Sequence, residues 1–276
     1  MEIMKEKIIK ETGQEMYFDK DIAQTMIERE ENQEHILTAQ TVENIALSEI
    51  DSKPGLKIAE LGAGAHPQRY PNLSEFLNKN GGRLEWVDQA PIMLDYAKKQ
   101  VPKIKNIDFV EKEMFSYLKQ NKNEFDALIL KYSFNYVIPG SLEEWLKAMN
   151  ESLKENAAVI ATLNLYEEGL KPRSFNATYT INGNPIPQGY KPKHNEIIGI
   201  HFLKKGGDTS PDPETFADTK IIYYSPEKIE EAAQKAGFSH ISLLDDWSKN
   251  EKWLNRFKKE YPNSEIKSKA LLFLKK

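Results

Sequence analysis

Cysteine is absent from all 276 residues, which rules out disulfides, thiolate catalysis and cysteine-ligated metals. Long apolar runs are absent too: nothing approaches the roughly 18 residues of a membrane span. The first residues, MEIMKEKIIKETGQ, have no uninterrupted apolar stretch of the kind a secretion signal carries. Nor is there a strong charge of one sign. Lys and Arg number 38 against 42 Asp and Glu, a formal net charge of −4, so no global basic field draws in nucleic acid or an acidic membrane. A soluble, cytoplasmic protein with neither kind of partner is expected. The length is enough to bury a substantial core as one domain, or as one domain with an elaboration.

Against these absences, one stretch carries unusual information. Residues 56–64, LKIAELGAG, read as a short buried strand that ends in an acid and two glycines. Leu56, Ile58 and Leu61 supply the apolar character, Glu60 stands at the strand's end, and Gly62 and Gly64 let the backbone turn tightly against a ligand. The pattern repeats at residues 84–88, LEWVD, an apolar run ending in Asp88, followed by Pro91, Met93, Leu94, Tyr96 and Ala97 at helical spacing.

With strand, acid and helix recurring, the chain resembles the class I S-adenosylmethionine-dependent methyltransferases through most of residues 55–165 and again from about 221 to 276. Glu60-Leu61-Gly62-Ala63-Gly64 resembles the family's first motif, in which acid and glycine backbone hold the methionine amino and carboxylate groups. Asp88-Gln89-Ala90-Pro91-Ile92-Met93 resembles the second, whose acid takes both ribose hydroxyls. Phe109 to Met114 resembles the third, with Glu113 reading the adenine amino group and the Met114 amide meeting the ring. Phe125 to Lys131 resembles the fourth strand, and Tyr224 to Ile229 with Ala236-Gly237-Phe238 resembles the helix and turn before the terminal strand pair. The resemblance implies a Rossmann-like α/β fold, doubly wound and mostly parallel, ending in an antiparallel pair at His240–Leu244 and Ala270–Leu274. It implies S-adenosyl-L-methionine as cofactor, with Glu60, Gly62, Ala63, Gly64, His66, Asp88, Gln89, Met93, Glu113, Met114 and Lys131 about it.

The residues support the same reading by their chemistry. A sulfonium cofactor presents a cationic amino-acid end, a ribose diol and an adenine, so it needs carboxylate acceptors and exposed backbone amides at the carboxyl ends of parallel strands. Glu60, Asp88 and Glu113 each fall at such an end. The family pattern is broken at one place: His66, followed by Pro67, stands where a third glycine is usual, so the next helix is expected to start later, near Pro71, with Leu73, Phe76 and Leu77 inward. A metal is not expected. Metal-dependent relatives carry acids at the ends of strands four and five, whereas Lys131 and Asn164 stand there, and a divalent cation needs several oxygen ligands. Asp126, at the start of its strand, reads as a structural cap.

Residues 1–52 read as an amino-terminal helical lid, with Ile22, Met26 and Ile27 on one stripe and Ile36, Leu37, Val42, Ile45, Ala46 and Ile50 on another. Residues 53–276 then form the core, interrupted at about 166–220 by an insertion containing a β-hairpin around Asn182-Gly183. Tyr17, Phe18, His35 and Tyr136 are candidate substrate contacts. Candidate catalytic or orienting groups are Tyr132, Asn135, Tyr166, Glu167, His194 and His201, with Tyr136 and His66 beside them, and no base stands out. The expected function is in-line methyl transfer to a small molecule. Two alternatives stay open: a methyltransferase acting on RNA or protein, for which residues 246–261 offer a basic, aromatic helix, and a non-catalytic nucleotide-binding protein of similar fold. The sequence leaves the oligomeric state open.

Overall fold

The computed structural model describes residues 17–30, 33–101, 106–136, 141–164, 170, 177–203, 215–244 and 268–274. Two helices, α1 (Lys20–Glu30) and α2 (Gln33–Glu49), precede the first strand. The core then alternates β1 (Lys57–Leu61), α3 (Pro71–Lys79), β2 (Arg83–Asp88), α4 (Pro91–Gln100), β3 (Ile107–Glu111), α5 (Met114–Gln120), β4 (Phe125–Leu130), α6 (Leu142–Ser152) and β5 (Leu153–Asn164). After an antiparallel sheet of β6 (Ala177–Ile181), β7 (Asn184–Pro185), β8 (Glu196–Leu203) and β9 (Thr215–Tyr223), the chain returns through α7 (Pro226–Lys235), β10 (His240–Leu244) and β11 (Ser268–Leu274). No helix among the described residues is long and apolar enough to cross a membrane.

The main sheet has seven strands in the order β10-β11-β5-β4-β1-β2-β3. The five strands β1 to β5 are parallel, and β11 pairs antiparallel with both β5 and β10. This is the doubly wound sheet with an antiparallel terminal pair that the sequence implies.

Parallel strands covered on both faces must be apolar on both, and β4, FDALIL, is buried at all six positions. Strand alternation divides the core. Ile58, Leu84, Trp86, Ala127, Ile129 and Ile160 pack with α2, α3 and α4 on one face. Ala59, Leu61, Val87, Leu128, Leu130 and Val159 pack with α5, α6 and α7 on the other.

Local chemistry sets the helix starts. Pro71 occupies the first turn of α3, where the missing N–H is no loss, so the helix begins where the sequence places it. Ser141 and Glu144 close a reciprocal capping box on α6. Because β1 lies between β2 and β4, the crossovers diverge there, and the crevice beyond the strands' carboxyl ends is where an open α/β sheet takes its ligand.

The second sheet runs β7-β6-β8-β9. Its hairpin turns at Asn182 (φ 52°) and Gly183 (φ 77°), the paired left-handed residues of a type I′ turn. It continues to Tyr223, past the expected insertion boundary at 220. Tyr136, beyond β4, bridges Ile221 of β9, and the Ile222 amide donates to the Asn135 carbonyl at 2.8 Å. The sheet is thereby stitched to the end of β4, beside the crevice.

Candidate active site

The loop after β1 is built around two glycines with φ near +63° and +69°, Gly62 and Gly64. A Cβ at Gly62 would lie 2.7 Å from Ser133 Cβ and 3.8 Å from the Tyr136 ring, so only glycine fits where the loop meets the end of β4. Gly64 N–H donates to Asp88 Oδ2 at 2.8 Å, and Ala90 N–H donates to Oδ1 at 2.9 Å. Asp88 therefore ties the ends of β1 and β2 together. Gln89 follows it in the turn, and Ala63 is fastened by its amide to the Val87 carbonyl at 3.0 Å.

Glu60 is fully buried, and its Oε1 accepts from the Tyr70 hydroxyl at 3.0 Å. Glu113 is the amino-terminal cap of α5: its two oxygens accept from the Phe115 and Ser116 amides at 2.8 and 2.7 Å. Its carboxylate is turned into the helix it starts. The Met114 amide, at the first position of α5, lies where a helix offers no internal acceptor.

His66 fastens the loop to the lid. Nδ1 accepts from the Gln68 side-chain amide at 3.2 Å, which leaves Nε2–H to donate to the Ile27 carbonyl of α1 at 3.1 Å. Burial, and then the charge of Arg69, push its pKa down to about 4 against the pull of the Ile27 carbonyl, and Lys131 pushes the same way. Arg69 and Lys131 are themselves buried. Around the loop the environment is thus positive at His66 and negative at Glu60 and Asp88.

Helix α1 packs against this loop. Met26 and Ile27 of α1 pack with Ala65, Ala90, Met93 and Ala217, and Tyr17, Phe18, Ile22, Tyr96 and Phe202 line the same cluster. Helix α1, the loop after β1 and the antiparallel sheet therefore meet in one apolar group. The hydroxyls of Tyr17 and Tyr136 are 2.9 Å apart, with ring centroids at 6.4 Å. Of the four candidate substrate contacts, three thus stand together at the crevice; His35 falls on α2, and its side chain lies outside the described residues.

The other catalytic candidates disperse. Tyr132 is held at φ 60°, its amide bonded to Thr162 Oγ1 at 2.6 Å. Asn135 is used in stitching the sheets, its Nδ2 donating to the Ile222 carbonyl at 3.1 Å. His194 accepts from the Ser225 amide at 3.3 Å beside Tyr224, at the start of α7. His201 bonds Thr180 and Asp218 at 2.9 and 2.7 Å. Its neighbours Ile200 and Phe202 face the interior clusters, so strand alternation turns His201 to the opposite face of the sheet. Tyr166, Glu167 and the basic segment 246–261 lie outside the described residues. Asp126 is a structural anchor, as read: it takes the Lys57 amide and the Lys53 and Lys154 ammoniums, which outweigh burial and hold its pKa below the usual carboxylate value.

The sequence reading missed Tyr70, Trp86, Arg69 and Ser133. Trp86 Nε1–H donates to the Gly64 carbonyl at 2.7 Å, and the Ser133 hydroxyl donates to the Leu61 carbonyl at 2.5 Å. The only sequence signal for Trp86 is its position two residues before Asp88; in the sheet it pairs with Glu60.

Residues 70–156 match the family model described as a methyltransferase domain. Across this third of the chain the match is to a methyltransferase domain, in line with the family that the sequence resembles. Solved structures agree on the fold. A S-adenosylmethionine-dependent methyltransferase from Clostridium acetobutylicum ATCC 824 is similar at TM-score 0.51 and 17% identity, over 90% of this chain and 94% of that one. DesVI of Streptomyces venezuelae gives TM-score 0.56 at 11% identity, over 94% and 99%. The sugar N-methyltransferase KedS8 from Streptoalloteichus sp ATCC 53650 gives TM-score 0.56 at 11%, over 91% and 92%. No curated protein matches the chain.

The methyltransferase domain's residues suit its cofactor. The tight left-handed turn at Gly62 and Gly64, the buried carboxylate of Glu60 and the carboxylate of Asp88 are the groups that a close backbone approach, an amino acid and a diol require.

Proposed function

We propose that this enzyme transfers a methyl group from S-adenosylmethionine to a small-molecule acceptor by in-line displacement. The observation that carries the reading is the meeting of the Gly62–Gly64 loop, Asp88 and the Tyr17–Tyr136 pair at one crevice. Bound there, the cofactor supplies an electrophilic methyl on a sulfonium. Glu60 would receive the methionine ammonium, and the buried cations Arg69 and Lys131 its carboxylate. Asp88 would accept from the ribose hydroxyls, with Gln89 and Met93 beside it. The Met114 amide would meet the adenine. Glu113 contributes by fixing α5 and so aiming that amide.

Methyl transfer gains most from holding two atoms in line at contact distance. Tyr136, whose ring lies against Gly62, and Tyr17 above it are placed to orient an acceptor, while Phe18 and Phe202 exclude water. A small acceptor is supported by this apolar roof and by the absence of a basic field. Likeness to a sugar N-methyltransferase points the same way.

Calorimetric titration with S-adenosylmethionine, S-adenosylhomocysteine and NAD tests the cofactor, and a metabolite screen for methyl transfer tests the acceptor. Saturable binding of the first two is expected. Preference for NAD would overturn the reading, and transfer to RNA or protein alone would overturn its substrate class.

A further inference from the structure

The amino end of α3 departs from the ordinary rule for helix starts. Its cap position favours Ser, Thr, Asp or Asn, whose side chain closes on the helix's own free amides. Here the position is Tyr70, and its side chain makes no capping bond. The cap comes from another helix instead: Glu43 of α2, fully buried, accepts from the Leu73 amide at 2.7 Å and from the Asn72 side chain at 2.8 Å. Tyr70 is thereby released from capping, and its hydroxyl reaches Glu60 Oε1 at 3.0 Å.

The ring is fixed as firmly as the hydroxyl. It is fully buried and meets Trp86 edge-on, with centroids 5.9 Å apart and planes at 63°. Trp86 in turn donates to the Gly64 carbonyl at 2.7 Å. Two rings packed on one another thus hold, from behind, the acid at the end of β1 and the glycine loop that follows it. A local rule broken, with its cost met from a distant residue, marks a position kept for another purpose.

We propose that Tyr70 is a positioning residue for cofactor recognition: its hydroxyl holds one oxygen of Glu60 and so fixes the carboxylate that would receive the methionine ammonium. This deepens the cofactor reading above and rests on it. A neutral phenol is suited to the task, because it donates one charge-assisted hydrogen bond and brings no charge to compete with the ammonium. Tyr70 stays neutral here, since burial and then the nearby Glu60 push its pKa well above the ordinary value. Trp86 performs the matching task for the loop.

The test compares two ligands that differ only at the amino-acid end, S-adenosylhomocysteine and 5′-methylthioadenosine, by calorimetry on the wild-type chain and on Tyr70→Phe. Loss of one hydrogen bond to a charged group predicts S-adenosylhomocysteine weakened roughly tenfold, with methylthioadenosine unchanged. In a Glu60→Gln background the same substitution should cost little further, since the two groups act as one. Equal weakening of both ligands would reduce Tyr70 to a packing residue and overturn the proposal, as would undiminished binding of S-adenosylhomocysteine. If Tyr70→Phe does not fold, Glu43→Gln, which loosens the anchoring of α3 and leaves the hydroxyl in place, should show the same selective loss in weaker form. Equal effects there overturn the proposal. A wild-type chain that binds neither ligand refutes the cofactor reading itself, an outcome distinct from all of these.

Discussion

The molecule's two sheets are built to different standards. In the main sheet β4 is buried at every position, the acids at the strand ends are held by backbone amides and a phenol, and an indole holds the Gly64 carbonyl. In the antiparallel sheet β8 is buried only at Ile198 and Leu203, and its outer face carries the exposed Ile197 with His201 and Asp218. A sheet covered on both sides is constrained by packing on each face. One covered on a single side tolerates change in its loops and outer face. On the function proposed above, cofactor recognition falls to the first sheet and acceptor choice to its contact with the second.

The sharpest attack on that division is Asp88→Asn. An amide can accept from only one of the Gly64 and Ala90 N–H groups that the two carboxylate oxygens now satisfy, and it turns its own NH2 toward the other. Hydrogen bonds to a charged group contribute about 1.5–3 kcal/mol each. We therefore expect S-adenosylmethionine affinity to fall about 100-fold, roughly 3 kcal/mol, as read by calorimetry. An unchanged affinity would deny the loop its place in cofactor binding.

His66 offers the next largest effect, this time through pH. Its ring titrates near 4 when folded, against an ordinary value of 6.5. Between those values the unfolded chain binds the extra proton and the folded chain does not, so stability is full above 6.5 and falls as pH drops toward 4. The largest possible loss is about 3 kcal/mol. Urea midpoints from pH 7 to 4 would measure it, and His66→Gln, which keeps a donor for the Ile27 carbonyl without a titrating ring, should flatten this part of the profile. An equal slope in the variant would assign the pH dependence to other groups.

How much of this was legible in advance depends on the range of the interaction. Glu60, Gly62, Gly64 and Asp88 could be found because strand, acid and turn follow one another locally. The start of α3 could be found because proline fits the first turn of a helix and not the next. The Tyr17–Tyr136 contact joins residues 119 apart, and each was only an aromatic beside a polar stretch until the chain folded. Tyr70 was hidden by its own departure from the capping rule, because Glu43, the residue that compensates, lies on a different helix. His201 was a candidate only through its place in the insertion, and the alternation of β8 turns it outward. Glu113 was recognised as a strand-end acid, but from one strand's sequence nothing reveals that its carboxylate closes on α5.

Two glycines sharpen the comparison at smaller scale. Gly62→Ala forces a side chain into a left-handed residue and brings its Cβ to 2.7 Å from Ser133, so strain adds to a clash and about 2–3 kcal/mol should be lost. Gly183→Ala in the hairpin turn meets nothing within 4 Å and should cost about 1–2 kcal/mol from backbone strain alone. Cofactor affinity should fall with the first substitution and hold with the second. Thermal unfolding with and without cofactor separates the two, and equal behaviour would erase the distinction between the sheets.

The smallest effect belongs to Asp218→Asn. The side chain is 67% exposed and pairs with His201 on the outer face of the second sheet, where an ion pair gains little against water and salt. Asn keeps an oxygen that can accept from the ring, and Thr180 still holds the ring's other nitrogen. A stability change within about 1 kcal/mol is expected, with turnover of the acceptor unaltered. Because Phe202 and Ala217, the adjacent pair in the same register, face the crevice, this substitution probes one face of a sheet whose other face is the roof of the site. A large loss of turnover would mean that the outer face also touches the acceptor, and the division between a cofactor sheet and a one-sided acceptor sheet would have to be redrawn.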